Sequence, residues 1–109
     1  GRKYCVPSDV RFAAGRLKND LLARYISVAP EMVEDFDKNG WSPIHEAARA
    51  GNLIGIQLLI SAGCNLNSRT GRKGNGGTAL WWAIQRFGED HSIVQLLRSH
   101  GALEAGPTT

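Results

Sequence analysis

Asp37 to Asn67 reads DKNGWSPIHEAARAGNLIGIQLLISAGCNLN. Ser42 suits the start of a helix, because its hydroxyl can accept from backbone N–H groups, and Pro43 fits the first helical position. Ala47 and Ala48 keep that helix thin on the side facing its neighbours. Gly51 then offers a residue that enters the left-handed region and ends the helix. Ile56, Leu58, Leu59 and Ile60 form the apolar part of a second helix, ended by Gly63. Two helices of about ten residues joined by a tight turn make an antiparallel hairpin. Neither buries its apolar side alone, so copies must stack.

A second copy follows. Lys73 to Glu104 reads KGNGGTALWWAIQRFGEDHSIVQLLRSHGALE. Ser42-Pro43-Ile44-His45 aligns with Thr78-Ala79-Leu80-Trp81, Leu58-Leu59 with Leu96-Leu97, and Gly63-Cys64 with Gly101-Ala102. The pattern Asp37-x-x-Gly40-x-Ser42-Pro43-Ile44-His45-x-Ala47-Ala48-x-x-Gly51-Asn52 resembles the ankyrin consensus, with Ser and Ile in place of Thr and Leu. Gly63-Cys64-Asn65-Leu66-Asn67 is similar to the usual Gly-Ala-Asp-Val-Asn close. The period is slightly above the roughly 33 residues of that family.

An earlier, degenerate copy precedes both. Val10-Arg11-Phe12-Ala13-Ala14, Leu21-Leu22, Tyr25-Ile26 and Pro30-Glu31-Met32-Val33 follow the same helix–turn–helix pattern, with Leu17 where a glycine is expected. This copy resembles an N-terminal capping repeat. The resemblance covers residues 8–105, in repeats of 8–36, 37–67 and 68–105. It implies an all-α ankyrin-repeat solenoid of about three helix–turn–helix repeats with short β-hairpin-like loops. Residues 1–7 are expected as an extension and 106–109 as a loose tail. Such a stack is either complete in itself or the end of a longer one.

Composition agrees with one small domain. The 109 residues carry a net charge of +3, and a chain this size buries roughly 60–70% of its unfolded surface. Apolar stretches stay far below the roughly 20 residues that a membrane span needs. No apolar run follows the basic opening as it would in a secretory signal. The first residue is not Met, which suggests a fragment or a processed chain. Cys5 and Cys64 stand too far apart for a Cys-rich zinc site and read as reduced thiols, pointing to cytoplasm or nucleus.

The third repeat departs from the pattern. Its loop from Ser68 to Gly77 is about three residues longer than standard, rich in glycine, and carries Arg69, Arg72 and Lys73. A P-loop needs Gly-x-x-x-x-Gly-Lys-Ser/Thr after a buried strand. Here Lys73 precedes the last glycines and no strand leads in, so the segment reads as a flexible, exposed hairpin. His45 is expected to tie adjacent loops, as its counterpart does in the family; Trp81 fills that position by volume instead. Trp82 aligns with Glu46 and is either an exposed anchor or packed under the lengthened loop. Trp41 either shields the neighbouring hairpin or binds. Glu89, Asp90 and His91 share one turn, where the carboxylates are expected to cap the next helix rather than hold a metal. His100 near a helix C-terminus is favoured electrostatically and needs no chemical role.

The resemblance further implies binding through hairpin tips and the concave face of the inner helices. Carried over by position, the partner-binding residues are Lys38, Asn39, Trp41, Glu46, Arg49 and Asn52 in the second repeat. In the third they are Arg72, Lys73, Asn75, Trp82, Gln85 and Arg86. Aromatic anchors rimmed by arginine suit another protein of acidic or mixed surface. Three loop cations fall short of the six to ten phosphate contacts of a nucleic-acid binder. No catalytic constellation, cofactor, metal, membrane or small-molecule substrate is indicated. The alternative reading is a C-terminal targeting or substrate-docking appendage of a larger enzyme. Trp-Trp and Gly-Glu-Asp-His near the end resemble tails of prolyl-hydroxylase-type oxygenases, although the iron ligands of such enzymes are absent. Asn67 matches a position that asparaginyl hydroxylases modify in the family.

Overall fold

The computed structural model describes residues 7–108. Along them run α1 (Pro7–Gly15), α2 (Asn19–Val28), a 3₁₀ turn (Pro30–Glu34), α3 (Pro43–Ala50), α4 (Leu53–Ser61), α5 (Ala79–Phe87) and α6 (Ser92–Ser99). The caps explain where these helices start and stop. Pro43 begins α3 at a position that needs no N–H partner, behind an extended Ser42. Gly51 ends α3 at φ 71°, and Asn52 immediately caps α4 by accepting from the Gly55 N–H at 2.9 Å. Thr78 caps α5 by accepting from the Trp81 N–H. Leu17 takes the corresponding left-handed position after α1 at φ 58°, where glycine was expected.

Each helix pair forms an antiparallel hairpin, and the pairs stack. The inner helices α1, α3 and α5 lie side by side, with α2, α4 and α6 behind them. Fully buried Ala13, Ala14, Ala47, Ala48 and Ala83 let the inner helices approach closely. Leu22, Ile44, Ile56, Leu59, Leu80, Ile93 and Leu97 fill the space between the two rows. The stack measures 45 × 29 × 20 Å. No helix among the described residues is long and apolar enough to cross a membrane.

The loops carry turns rather than strands, with one antiparallel bridge between Arg69 and Thr78. The Asp37 carboxylate accepts from the N–H groups of Asn39 (2.8 Å) and Trp41 (3.0 Å), which closes the second repeat's tip. Gly40, at φ 79°, passes so close to Gly71 that a Cβ would meet the latter's backbone. That approach lets the Gly71 N–H donate to the Asn39 carbonyl at 2.6 Å, joining the two tips.

Three local expectations change. The lengthened loop is pinned rather than open: Thr70 donates to Gly77 O at 3.0 Å, and Gly76 to Thr70 O at 2.6 Å. Residues 106–108 are not loose. Arg69 donates to the Gly106 carbonyl, and the Thr108 N–H donates to the Asn75 carbonyl at 2.8 Å. The cap of α6 is His91, whose Nδ1 accepts from the Ile93 N–H, while Glu89 pairs with Arg98 instead. The expected extension lies outside the described residues except for Pro7, which opens α1.

Candidate partner-binding surface

The surface is built from the exposed side of the inner helices and the loops leading into them. His45 fixes the junction between repeats two and three. Its Nδ1 accepts the Ser42 backbone N–H at 3.1 Å, and its Nε2 lies 2.9 Å from the Ser68 carbonyl. An acceptor at one nitrogen and a donor at the other define the neutral Nε2–H tautomer. Burial lowers the His45 pKa, outweighing the Ser68 bond and the Asp37 charge, which act the other way. Thr78 makes a comparable junction one repeat later: its hydroxyl donates to Leu103 O at 2.7 Å and its N–H to Ala105 O at 2.9 Å.

Trp41, Trp81 and Trp82 gather over this junction. The Trp41 and Trp82 ring centroids lie 4.9 Å apart, and Trp81 meets Trp82 edge-on at 4.8 Å. Trp41 also presents its edge to His45 at 5.9 Å. All three are half-buried. Trp82 combines the two alternatives open from sequence: its indole N–H donates to Thr70 in the lengthened loop at 3.1 Å, while the rest of the ring lines an open cleft. Trp81 fills the position His45 holds one repeat earlier. Gly106 passes over it so closely that a Cβ there would lie 2.6 Å from the indole nitrogen.

The cleft is about 380 Å³ and is bordered by Arg49, Trp82, Gln85 and Arg86. Arg49 lies 5.1 Å from the Trp41 ring centroid and pairs with Glu46 at 2.6 Å. Burial holds the Glu46 carboxyl above its usual range, with Arg49 opposing the shift. A second hollow, between α1 and α3, is lined by Arg11, Phe12, Gly15, Arg16, Glu46 and Arg49. Arg49 borders both, so the two form one trough.

The expected site residues therefore divide. Trp41, Glu46, Arg49, Trp82, Gln85 and Arg86 come together along the trough. Lys38, Asn39, Arg72, Lys73 and Asn75 are exposed at the tips, apart from it. Arg72 instead borders a hollow of about 350 Å³ with Glu34 and Phe36. Asn75 is engaged with Thr108.

Asn52 is a correction. It is 1% exposed and holds two repeats together, donating to Ala14 O (3.0 Å) and Asn19 Oδ1 (2.8 Å). No partner can reach it. Conversely, Phe12 and Arg16 were missed. The match of Ala13-Ala14 to Ala47-Ala48 puts Phe12 in register with Glu46 and Trp82, which was the available signal.

Among the described residues, no three His, Cys, Asp or Glu side chains converge as metal ligands would. The Cys64 thiol is half-buried and free, and burial first, then Glu34, push its pKa up to about 12. Cys5 lies outside the described residues. Asn67 is exposed, and its side chain accepts from the Leu103 N–H at 2.9 Å.

Comparison with known proteins agrees with this fold. A family model described as ankyrin repeats, three copies, matches residues 12–105. The chain belongs to the ankyrin-repeat family. It is 34% identical over 85 residues to an ankyrin repeat-containing protein of Treponema pallidum (strain Nichols), a match covering 78% of this chain and 27% of that one. Its fold is similar, at a TM-score of 0.76 and 24% identity, to a chain in the solved structure of a predatory endopeptidase from Bdellovibrio bacteriovorus in complex with an immunity protein. That match covers 87% of this chain and 47% of the other. The chain thus spans about a quarter of the curated relative and about half of the structural one. Ankyrin repeats generally serve as non-catalytic modules that bind other proteins.

Proposed function

We propose that this ankyrin stack is a non-catalytic module that binds a partner protein along the concave trough, with the hairpin tips as a rim. The observation that carries this reading is the Trp41–Trp82 ring contact, with Trp82 lining an open cleft beside Arg49, Gln85 and Arg86. Tryptophan and arginine are the residue types most enriched among binding hot spots. A half-buried indole held by its N–H and by a second ring loses little further freedom on binding.

The test is a pull-down from extract of the source cell, comparing wild type with Trp82→Ala and Arg86→Ala, followed by titration of the retained protein. Each substitution should weaken binding by about 1 kcal/mol or more while the helical circular dichroism is kept. Unchanged affinity in both folded variants removes the trough from consideration and directs attention to Lys38, Arg72 and Lys73 at the tips.

A further inference from the structure

Each repeat lays one arginine against an aromatic ring, on the inner helix or in the turn that ends it. Arg16, in the turn just after α1, lies 5.0 Å from the Phe12 centroid, Arg49 on α3 lies 5.1 Å from Trp41, and Arg86 on α5 lies 5.6 Å from Phe87. The aromatic partners come from different places: Phe12 and Phe87 from the helices themselves, Trp41 from the loop before α3. Such a pair occurs once in each repeat, although Arg49 aligns with Gln85 and Arg86 with Ala50.

The charge of the trough is one-sided. Arg11, Arg16, Arg49 and Arg86 border it, against the single carboxylate of Glu46. Arg11 is committed to Asp35 at 2.8 Å, and Arg49 to Glu46 at 2.6 Å. Arg16 and Arg86 have no carboxylate partner among the described residues. They belong to the first and third repeats: Arg16 lines the hollow between α1 and α3, and Arg86 lines the cleft beside Trp82.

A guanidinium resting on a ring is held flat, and its N–H edge remains open for a planar, two-oxygen acceptor. Carboxylate fits that edge by paired hydrogen bonds. Because stacking has already restricted the side chain, less freedom is lost when the acceptor arrives. A polyphosphate fits less well. Its affinity grows with the number of neutralised phosphates, typically six to ten, whereas this trough offers two uncommitted cations around the Glu46 carboxylate and an indole surface.

We propose that the trough receives an acidic segment of a partner protein in which carboxylates flank an apolar or aromatic side chain. The carboxylates engage Arg16 and Arg86, and the side chain between them covers Trp82. This rests on the concave-face reading above, and the experiment separates the two.

Random 12-residue peptides displayed on phage are selected against the chain. Enriched sequences are made with a fluorescein label and titrated by anisotropy against wild type, Arg16→Gln, Arg86→Gln and Trp82→Ala. Arg16 and Arg86 are exposed, so neither glutamine variant disturbs the core; circular dichroism checks all three. The winners should be net acidic with at least one apolar or aromatic residue. Each Arg→Gln change should weaken them about tenfold, and affinity should fall as salt rises.

Neutral or basic winners overturn the inference. So does affinity unchanged in both arginine variants but lost in Trp82→Ala, an outcome that keeps the concave face. Affinity unchanged in all three overturns both readings. A labelled dT20 oligonucleotide binding more tightly than the peptides assigns the trough to nucleic acid, and selection with no enrichment over empty support also counts against the inference.

Discussion

His45 is buried and stays neutral because both its nitrogens are already committed in the uncharged form. Its folded pKa is lowered, while the unfolded value is about 6.5. Above that pH both states are neutral and stability does not depend on this group. Below it the unfolded chain takes up a proton that the folded chain refuses, so stability is lost as pH falls from about 6.5 towards the folded pKa. Thermal unfolding should therefore begin at lower temperature at pH 5 than at pH 7, with a smaller difference in His45→Gln. An identical difference in the variant would remove His45 as the source. Leu17 makes a second point at this scale. A side chain in the left-handed region costs a non-glycine residue roughly 1–2 kcal/mol, partly offset by the extra freedom of an unfolded glycine. Leu17→Gly should stabilise the chain by roughly 0.5–1 kcal/mol in urea unfolding; a loss would mean that Leu17 contributes packing despite its 53% exposure.

At the scale of elements, Asn52 does the work of a joint. It caps α4 through Gly55, reaches Ala14 at the end of α1, and exchanges two bonds with Asn19 at the start of α2. Asn52→Ala leaves several of these groups buried and unpaired, at a cost of about 2–4 kcal/mol. A double-mutant cycle with Asn19→Ala should show coupling between the two sites; strict additivity would mean that the Asn19–Asn52 exchange contributes nothing. The hairpin tips join in another way, through backbone: Gly71 donates to Asn39 only because Gly40 presents no side chain. This tip contact lets two loops of different length belong to the same stack.

At the scale of the whole molecule, stability is a sum of repeats and the contacts between neighbours. The last segment adds to that sum. Residues 106–108 lie along the third repeat's loop, bonded to Arg69 and Asn75 and covering Trp81. Deleting the residues after Ala105 should cost about 1 kcal/mol, or roughly 4–8 °C in Tm for a domain near this size. Trp81 should then gain exposure, seen as a red shift of tryptophan emission. An unchanged melt and spectrum would show that the segment is only laid along the surface. The trough is likewise a property of the assembled stack, since its walls come from all three inner helices.

Much of the fold was legible in the sequence because its signals act at short range. Ser42, Pro43, Gly51 and Gly63 start and stop helices through their own side chain or backbone, and the alanine and leucine patterns state which faces must be covered. Their recurrence made the stack a necessity, and position alone assigned Trp82, Arg49 and Arg86 to the concave side. What position could not decide were contacts between residues far apart in the chain. Asn52 occupies a helix-capping position that looks like surface until Asn19 and Ala14 close over it. Phe12 and Arg16 were hidden in a degenerate repeat. Trp82 could be read as exposed or packed, and is both, because Thr70 binds its N–H from a loop whose path the glycines left open. The short-range chemistry of the residues thus determined the elements and their order. Only the stacking of repeats, which removes water from some polar side chains and leaves it on others, decided which of them hold the molecule together and which stay exposed.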